Sequence, residues 1–97
     1  MLNPRQRSRL AGMAQTRRGL VRLGRDGAGE AFVARLAVLL ADHELVKLRF
    51  VGREADKESI ARNLAARTDS EIVRLTGNTA VFWKVNPDPG KRKVEID

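Results

Sequence analysis

A chain of 97 residues, 42% hydrophobic and 32% charged, makes one domain around one modest core. It has no cysteine, which excludes disulfide scaffolds and thiolate zinc sites, and no apolar run near the ~18 residues of a membrane span. The net charge of +7 is carried entirely by residues 1–25, which hold seven arginines and no Asp or Glu, whereas residues 26–97 balance 12 basic against 12 acidic side chains.

Asn3-Pro4-Arg5-Gln6 reads as a helix start: Asn3 can cap, Pro4 suits the first helical position and Gln6 completes a capping box. The predicted helix carries Leu10, Met13 and Ala14 on one side and ends near Thr16, and Arg5 and Arg9 lie one turn apart. Leu20–Leu23 is a short strand, followed by a loop from Gly24 to Gly27. A helix is expected from about Gly29 to Asp42, with Phe32, Leu36, Leu39 and Leu40 at helical spacing. Leu45–Val51 alternates as a strand: Val46, Leu48 and Phe50 share one face, and Leu45, Lys47 and Arg49 the other. Asp56–Thr68 is a helix with Ile60, Ala61, Leu64 and Ala65 inward, and Asp56 at its cap or first turn. Two further strands, Glu71–Thr76 and Thr79–Val85, flank the hairpin signal Gly77-Asn78. Order is expected to end at Asn86-Pro87-Asp88-Pro89-Gly90, before the basic run Lys91-Arg92-Lys93. The order predicts an α/β fold of two-layer type: an N-terminal helix, then β-α-β-α-β-β, with a four-stranded mixed sheet. Helical crossovers require parallel pairing early in the chain, and the hairpin adds an antiparallel pair.

The residues offer little for catalysis. The single histidine, His43, falls at a helix-to-strand junction without a nucleophile, and the carboxylates lack acid/base or metal-ligand spacing. No catalytic residue, metal or cofactor is expected. The informative motif is Gly24-Arg25-Asp26-Gly27. Glycines at its ends let a backbone approach closely, Arg25 adds a fork of donors, and the arginine block lies just upstream. A one-sided cationic surface beside a bare loop suits a polyphosphate, and RNA is the first candidate. Arg5, Arg9, Arg17, Arg18, Arg22, Gly24, Arg25, Asp26 and Gly27 form the expected binding set, with the Asp26 carboxylate turned away from the ligand. Lys47 and Arg49 are read as the solvated face of a half-buried strand. Trp83 is read as core beside Val81 and Val85 rather than as a base-stacking platform. Duplex DNA and a small phosphorylated substrate held by the glycine loop are the alternative ligands. The first segment is poor in Ser and Thr for a transit peptide, so the cytoplasm is the expected compartment.

Four stretches together resemble the CRM domain (chloroplast splicing and ribosome maturation) in its stand-alone bacterial, YhbY-like form. They are Gln6-Arg7 with Leu10-Ala11-Gly12-Met13-Ala14; Leu23-Gly24-Arg25-Asp26-Gly27; His43-Glu44-Leu45-Val46-Lys47-Leu48; and Gly77-Asn78-Thr79-Ala80-Val81-Phe82-Trp83. The resemblance covers about residues 2–85. It implies a fold similar to the C-terminal domain of bacterial translation initiation factor three. It also implies a GxxG loop likened to that of KH domains, and association with the large ribosomal subunit precursor. Family members commonly carry Lys-Asn between the glycines, where this chain has Arg25-Asp26. The combined expectation is one RNA-binding domain over 1–85 with a flexible basic tail over 86–97. Such a protein would act as a monomer on large-subunit rRNA or its precursor, without membrane association.

Overall fold

The computed structural model describes residues 2–15, 20–24, 27–51 and 56–92. Its elements are α1 (Pro4–Ala14), β1 (Leu20–Leu23), α2 (Glu30–His43), β2 (Leu45–Phe50), α3 (Lys57–Thr68), β3 (Glu71–Thr76) and β4 (Thr79–Trp83), closed by a 3-10 turn at Pro89–Lys91. The four strands form one sheet in the order β1-β2-β4-β3; β1 and β2 are parallel, and β4 is antiparallel to both its neighbours. This is the mixed α/β arrangement that the element order requires.

Local chemistry accounts for the boundaries. The Asn3 side chain accepts the Gln6 N–H at 2.8 Å, and the Gln6 side chain accepts the Asn3 N–H at 3.0 Å. Two of α1's otherwise orphaned donors are thereby satisfied. Asp56 stands at the N-cap of α3, but in a left-handed conformation with no side-chain cap bond, so its role there is positional. Gly77 opens the β3–β4 turn at φ +57, the positive value that primed two-residue hairpins demand at their first central position. Glu44 joins α2 to β2 at φ 63 and is fully buried. Its N–H bonds the Leu40 carbonyl, its own carbonyl accepts the Lys84 N–H at 2.8 Å, and its Oε2 accepts the Asn86 N–H at 2.6 Å.

These bonds to Glu44 revise the expected end of the fold. β4 stops at Trp83, not Val85, because β2 begins at Leu45 and the next backbone donor turns to Glu44. Order continues past Asn86 to Arg92. Asn86 Oδ1 accepts the Asp88 N–H, Asp88 Oδ1 accepts the Gly90 N–H, and Arg92 Nε donates to the Asn86 carbonyl. Lys93 and the rest of the expected tail lie outside the described residues.

The sheet is apolar on both faces, though unequally. On one face α2 and α3 pack Leu36, Leu40, Ala61 and Leu64 against Val21, Leu23, Val46, Leu48, Phe50, Ala80 and Phe82. On the other, α1 lays Leu10, Ala11 and Ala14 over Leu45, Val73, Val81 and Trp83, with Leu2 closing one end. The second apolar patch extends the expected two layers by a partial third, because a helix must cover it. At about 25 cal/mol per Å² of apolar area removed from water, each fully buried leucine of α1 or α2 contributes on the order of 2 kcal/mol.

Candidate nucleic-acid interface

Strand register places every outward side chain on the α1 face in a row. The row near the β1 exit runs Arg22, Arg49, Thr79, Thr76 across all four strands. The next runs Leu20, Lys47, Val81, Arg74, and the last runs Leu45, Trp83, Glu71. α1 covers the last row and Val81, leaving the first row and the ends of the second open. Arg22, Arg49, Arg74 and Thr76 are exposed, and Lys47 and Thr79 half-buried.

Arg74 owes its place to a β-bulge. The β3–β4 register shifts between Ile72 and Arg74, so that Val73 is the extra residue. Ile72 and Leu75 therefore pack under α3, while Val73 and Arg74 both belong to the α1 side. Arg7, on the inner flank of α1, holds this irregularity. Its guanidinium donates to the carbonyls of Ile72 and, at 3.5 Å, Val73. Arg7 is committed to the fold, whereas Arg5 and Arg9 share an exposed stripe with Ser8 and Gly12.

The charge is sided. Arg5, Arg7, Arg9, Arg22, Lys47, Arg49 and Arg74 belong to α1 and the sheet face it shares, where Glu71 is the single acid among the described residues. That acid sits under the start of α1 and accepts the Leu2 N–H at 3.1 Å. The other described acids lie elsewhere, Glu30, Asp42, Glu44, Asp56, Glu58 and Asp69 on α2, α3 and their caps and Asp88 at the cap of the 3-10 turn, where the remaining described cations balance them. Arg22 and Arg49 are direct cross-strand partners. Like charges so placed cost stability, and a bound anion would remove that cost.

The glycine loop leaves β1 beside this row. Val51 N–H donates to the Leu23 carbonyl at 2.9 Å, and Gly27 N–H closes back on the Gly24 carbonyl at 3.2 Å. That donor is used inside the turn rather than offered outward. Gly27 has φ +78, and a Cβ at Gly24 or Gly27 would meet no atom within 4 Å. At these two glycines the backbone borders open space, as a close-approach role requires. Its exit is tethered by Arg67, which donates to the Ala28 carbonyl at 3.2 Å.

Of the residues expected at the site, Arg5, Arg9, Arg22, Gly24 and Gly27 are described, and Arg22 stands next to the loop. Arg17, Arg18, Arg25 and Asp26 lie outside the described residues. Lys47 is half-buried and Arg49 exposed on this face, and the solvated-face reading did not include their companions: register brings Arg22 beside Arg49, and the bulge adds Arg74. The alternation of Lys47 and Arg49 was the available signal, and the bulge left none in the residue types. Trp83 is core, 9% exposed, with its Nε1–H lacking a partner among the described residues. It packs in one core cluster with Val81, whereas Val85 is exposed beyond the strand.

The fold is that of a small α/β domain with a net positive sheet face. Residues 2–84 match the model of the CRS1 / YhbY (CRM) domain, and the chain belongs to that family. It is 32% identical over 72 residues to the "Probable RNA-binding protein PA4753" of Pseudomonas aeruginosa, covering 73% of this chain and 69% of that one. It is 28% identical over 97 residues to the "Probable RNA-binding protein YqeI" of Bacillus subtilis, covering 99% of each. The solution structure of the hypothetical protein SAV1595 from Staphylococcus aureus superposes with a TM-score of 0.78 at 23% identity, over 98% of this chain and all of that one.

Proposed function

We propose that this protein binds RNA, and that it acts on large-subunit ribosomal RNA or its precursor during ribosome assembly. The observation that carries the reading is the net positive charge of the α1 side of the sheet, where the described cations face a single described acid, next to two loop glycines, Gly24 and Gly27, that border open space. Its family membership and the names of its relatives support it.

The mechanism is adhesion. Arg5, Arg9, Arg22 and Arg49 neutralise phosphates, with Arg17, Arg18 and Arg25 supplying further charge from the sequence around the loop. Neutralising ~4–6 phosphates makes log K fall against log salt with a slope of about −3 to −5. The Gly24–Gly27 backbone lets a ribose-phosphate strand approach where a side chain would hold it off.

The test is crosslinking in cells followed by sequencing of the bound RNA. Enrichment of large-subunit precursor sequences is expected. Enrichment of messenger RNA would overturn the assembly role, and equal or tighter binding of duplex DNA in competition would overturn the preference for RNA.

A further inference from the structure

Resting on the RNA-binding reading, we infer that the open half of the sheet docks the backbone of a double-helical RNA segment, and that it does so without stacking on bases. Three features point there together.

The first is the absence of a stacking surface. The chain has four aromatic residues, Phe32, Phe50, Phe82 and Trp83, and all are described. Phe50, Phe82 and Trp83 are buried in the two cores, and Phe32 packs half-buried against the α2–α3 core. Modules that hold single strands on a sheet rely on aromatic rings aimed at unstacked bases. No ring here is aimed outward from the α1 face.

The second is the chemistry of the open row. Arg22 and Arg49 stand together at the β1 side, and the row continues into the hydroxyls of Thr79 and Thr76, with Arg74 one row back on β3. At about 4.8 Å between strands, the row from β1 to β3 spans roughly 14 Å. Paired cations meet phosphate oxygens. Hydroxyls beyond them, each both donor and acceptor, meet the 2′-hydroxyls that the wide, shallow minor groove of an RNA helix displays.

The third is rigidity. The cations project from hydrogen-bonded strands, and the irregular point, the bulge that aims Arg74, is braced by Arg7. A fixed array suits a ligand whose phosphates are themselves fixed, as in a helix, better than a flexible strand that must be ordered on binding.

The experiment compares three fluorescein-labelled oligonucleotides by anisotropy with the full chain. They are an RNA hairpin with a stem of about 16 base pairs, a uridine-rich single strand of equal length, and the DNA version of the hairpin. The RNA hairpin should bind at least tenfold tighter than the single strand and tighter than the DNA hairpin, with Trp83 emission unshifted. Arg49→Glu should weaken hairpin binding at least tenfold with its circular dichroism unchanged, and Thr76→Val with Thr79→Val should narrow the gap between RNA and DNA hairpins. Equal or tighter binding of the single strand, or quenching of Trp83 by bound RNA, overturns the inference while RNA binding itself stands. Wild-type affinity in Arg49→Glu overturns the placement on the sheet. No binding to either RNA overturns the parent reading instead.

Discussion

Reversing the charge at position 49 should make the protein more stable while making it a poorer RNA binder. Arg49 pairs directly with Arg22 across neighbouring strands, and Lys47 and Arg74 share the same face. Two unit charges about 5 Å apart in water repel by about 0.8 kcal/mol. Arg49→Gln removes that term and Arg49→Glu inverts it. Side-chain motion and salt reduce the full swing to about 0.5–1 kcal/mol at low ionic strength. For a domain of this size that is a rise in Tm of roughly 2–6 °C. Thermal unfolding of the Arg, Gln and Glu proteins at low salt should rank Glu above Gln above Arg. The differences should shrink in 1 M salt, where the screening length falls to about 3 Å. Hairpin affinity, measured in parallel, should rank in the opposite order. If both variants melt at or below wild type in low salt, or if their differences ignore salt, the open row is not a cluster of mutually repelling cations and the argument for an anionic partner fails with it.

Arg7→Ala removes the donor to the Ile72 and Val73 carbonyls and should cost about 1.5–3 kcal/mol in denaturant unfolding. Arg9→Ala, on the exposed stripe, should leave stability within about 0.5 kcal/mol and weaken RNA binding instead; reversal of the two phenotypes would contradict their assigned roles. Gly27→Ala forces a side chain to φ +78 and should destabilise by about 1–2 kcal/mol. Gly24→Ala, with open space and no positive φ, should unfold like wild type. Leu10→Ala empties a fully buried site under α1 and should cost about 2–5 kcal/mol, read as a drop in the denaturant midpoint.

The helices and strands were legible because each announces itself over a few neighbouring residues. The Asn3–Gln6 box, the leucine spacing of α2 and the Gly77-Asn78 turn all act within one or two turns of chain, and each forms as its chemistry dictates. The site was legible only in part. The charge block and the Gly24–Gly27 loop are contiguous in sequence, but the face they adjoin is assembled by register of β1 with β2 and of β2 with β4, whose partners lie more than 20 positions apart. Lys47 and Arg49 looked like ordinary solvent contacts until Arg22 was placed beside one of them. Arg74 was hidden because strict alternation puts it with Ile72, and the bulge breaks that alternation. The continuation of order past Asn86 was equally invisible: Pro and Gly signalled an ending, while the bond that keeps the segment folded comes from Glu44, 42 positions earlier.

The bulge at Val73 gives β3 one residue of slack. Deleting Val73 would restore even pairing with β4 and leave the other partners where they are: Ile72 opposite Phe82, Arg74 opposite Val81 and Leu75 opposite Ala80. What would go is the valine under α1 and a carbonyl that Arg7 holds. A lineage descended from this chain could lose a letter here and keep every neighbouring side chain on its own face, whereas a one-residue loss within β2 or β4 would turn over the side chains that follow it.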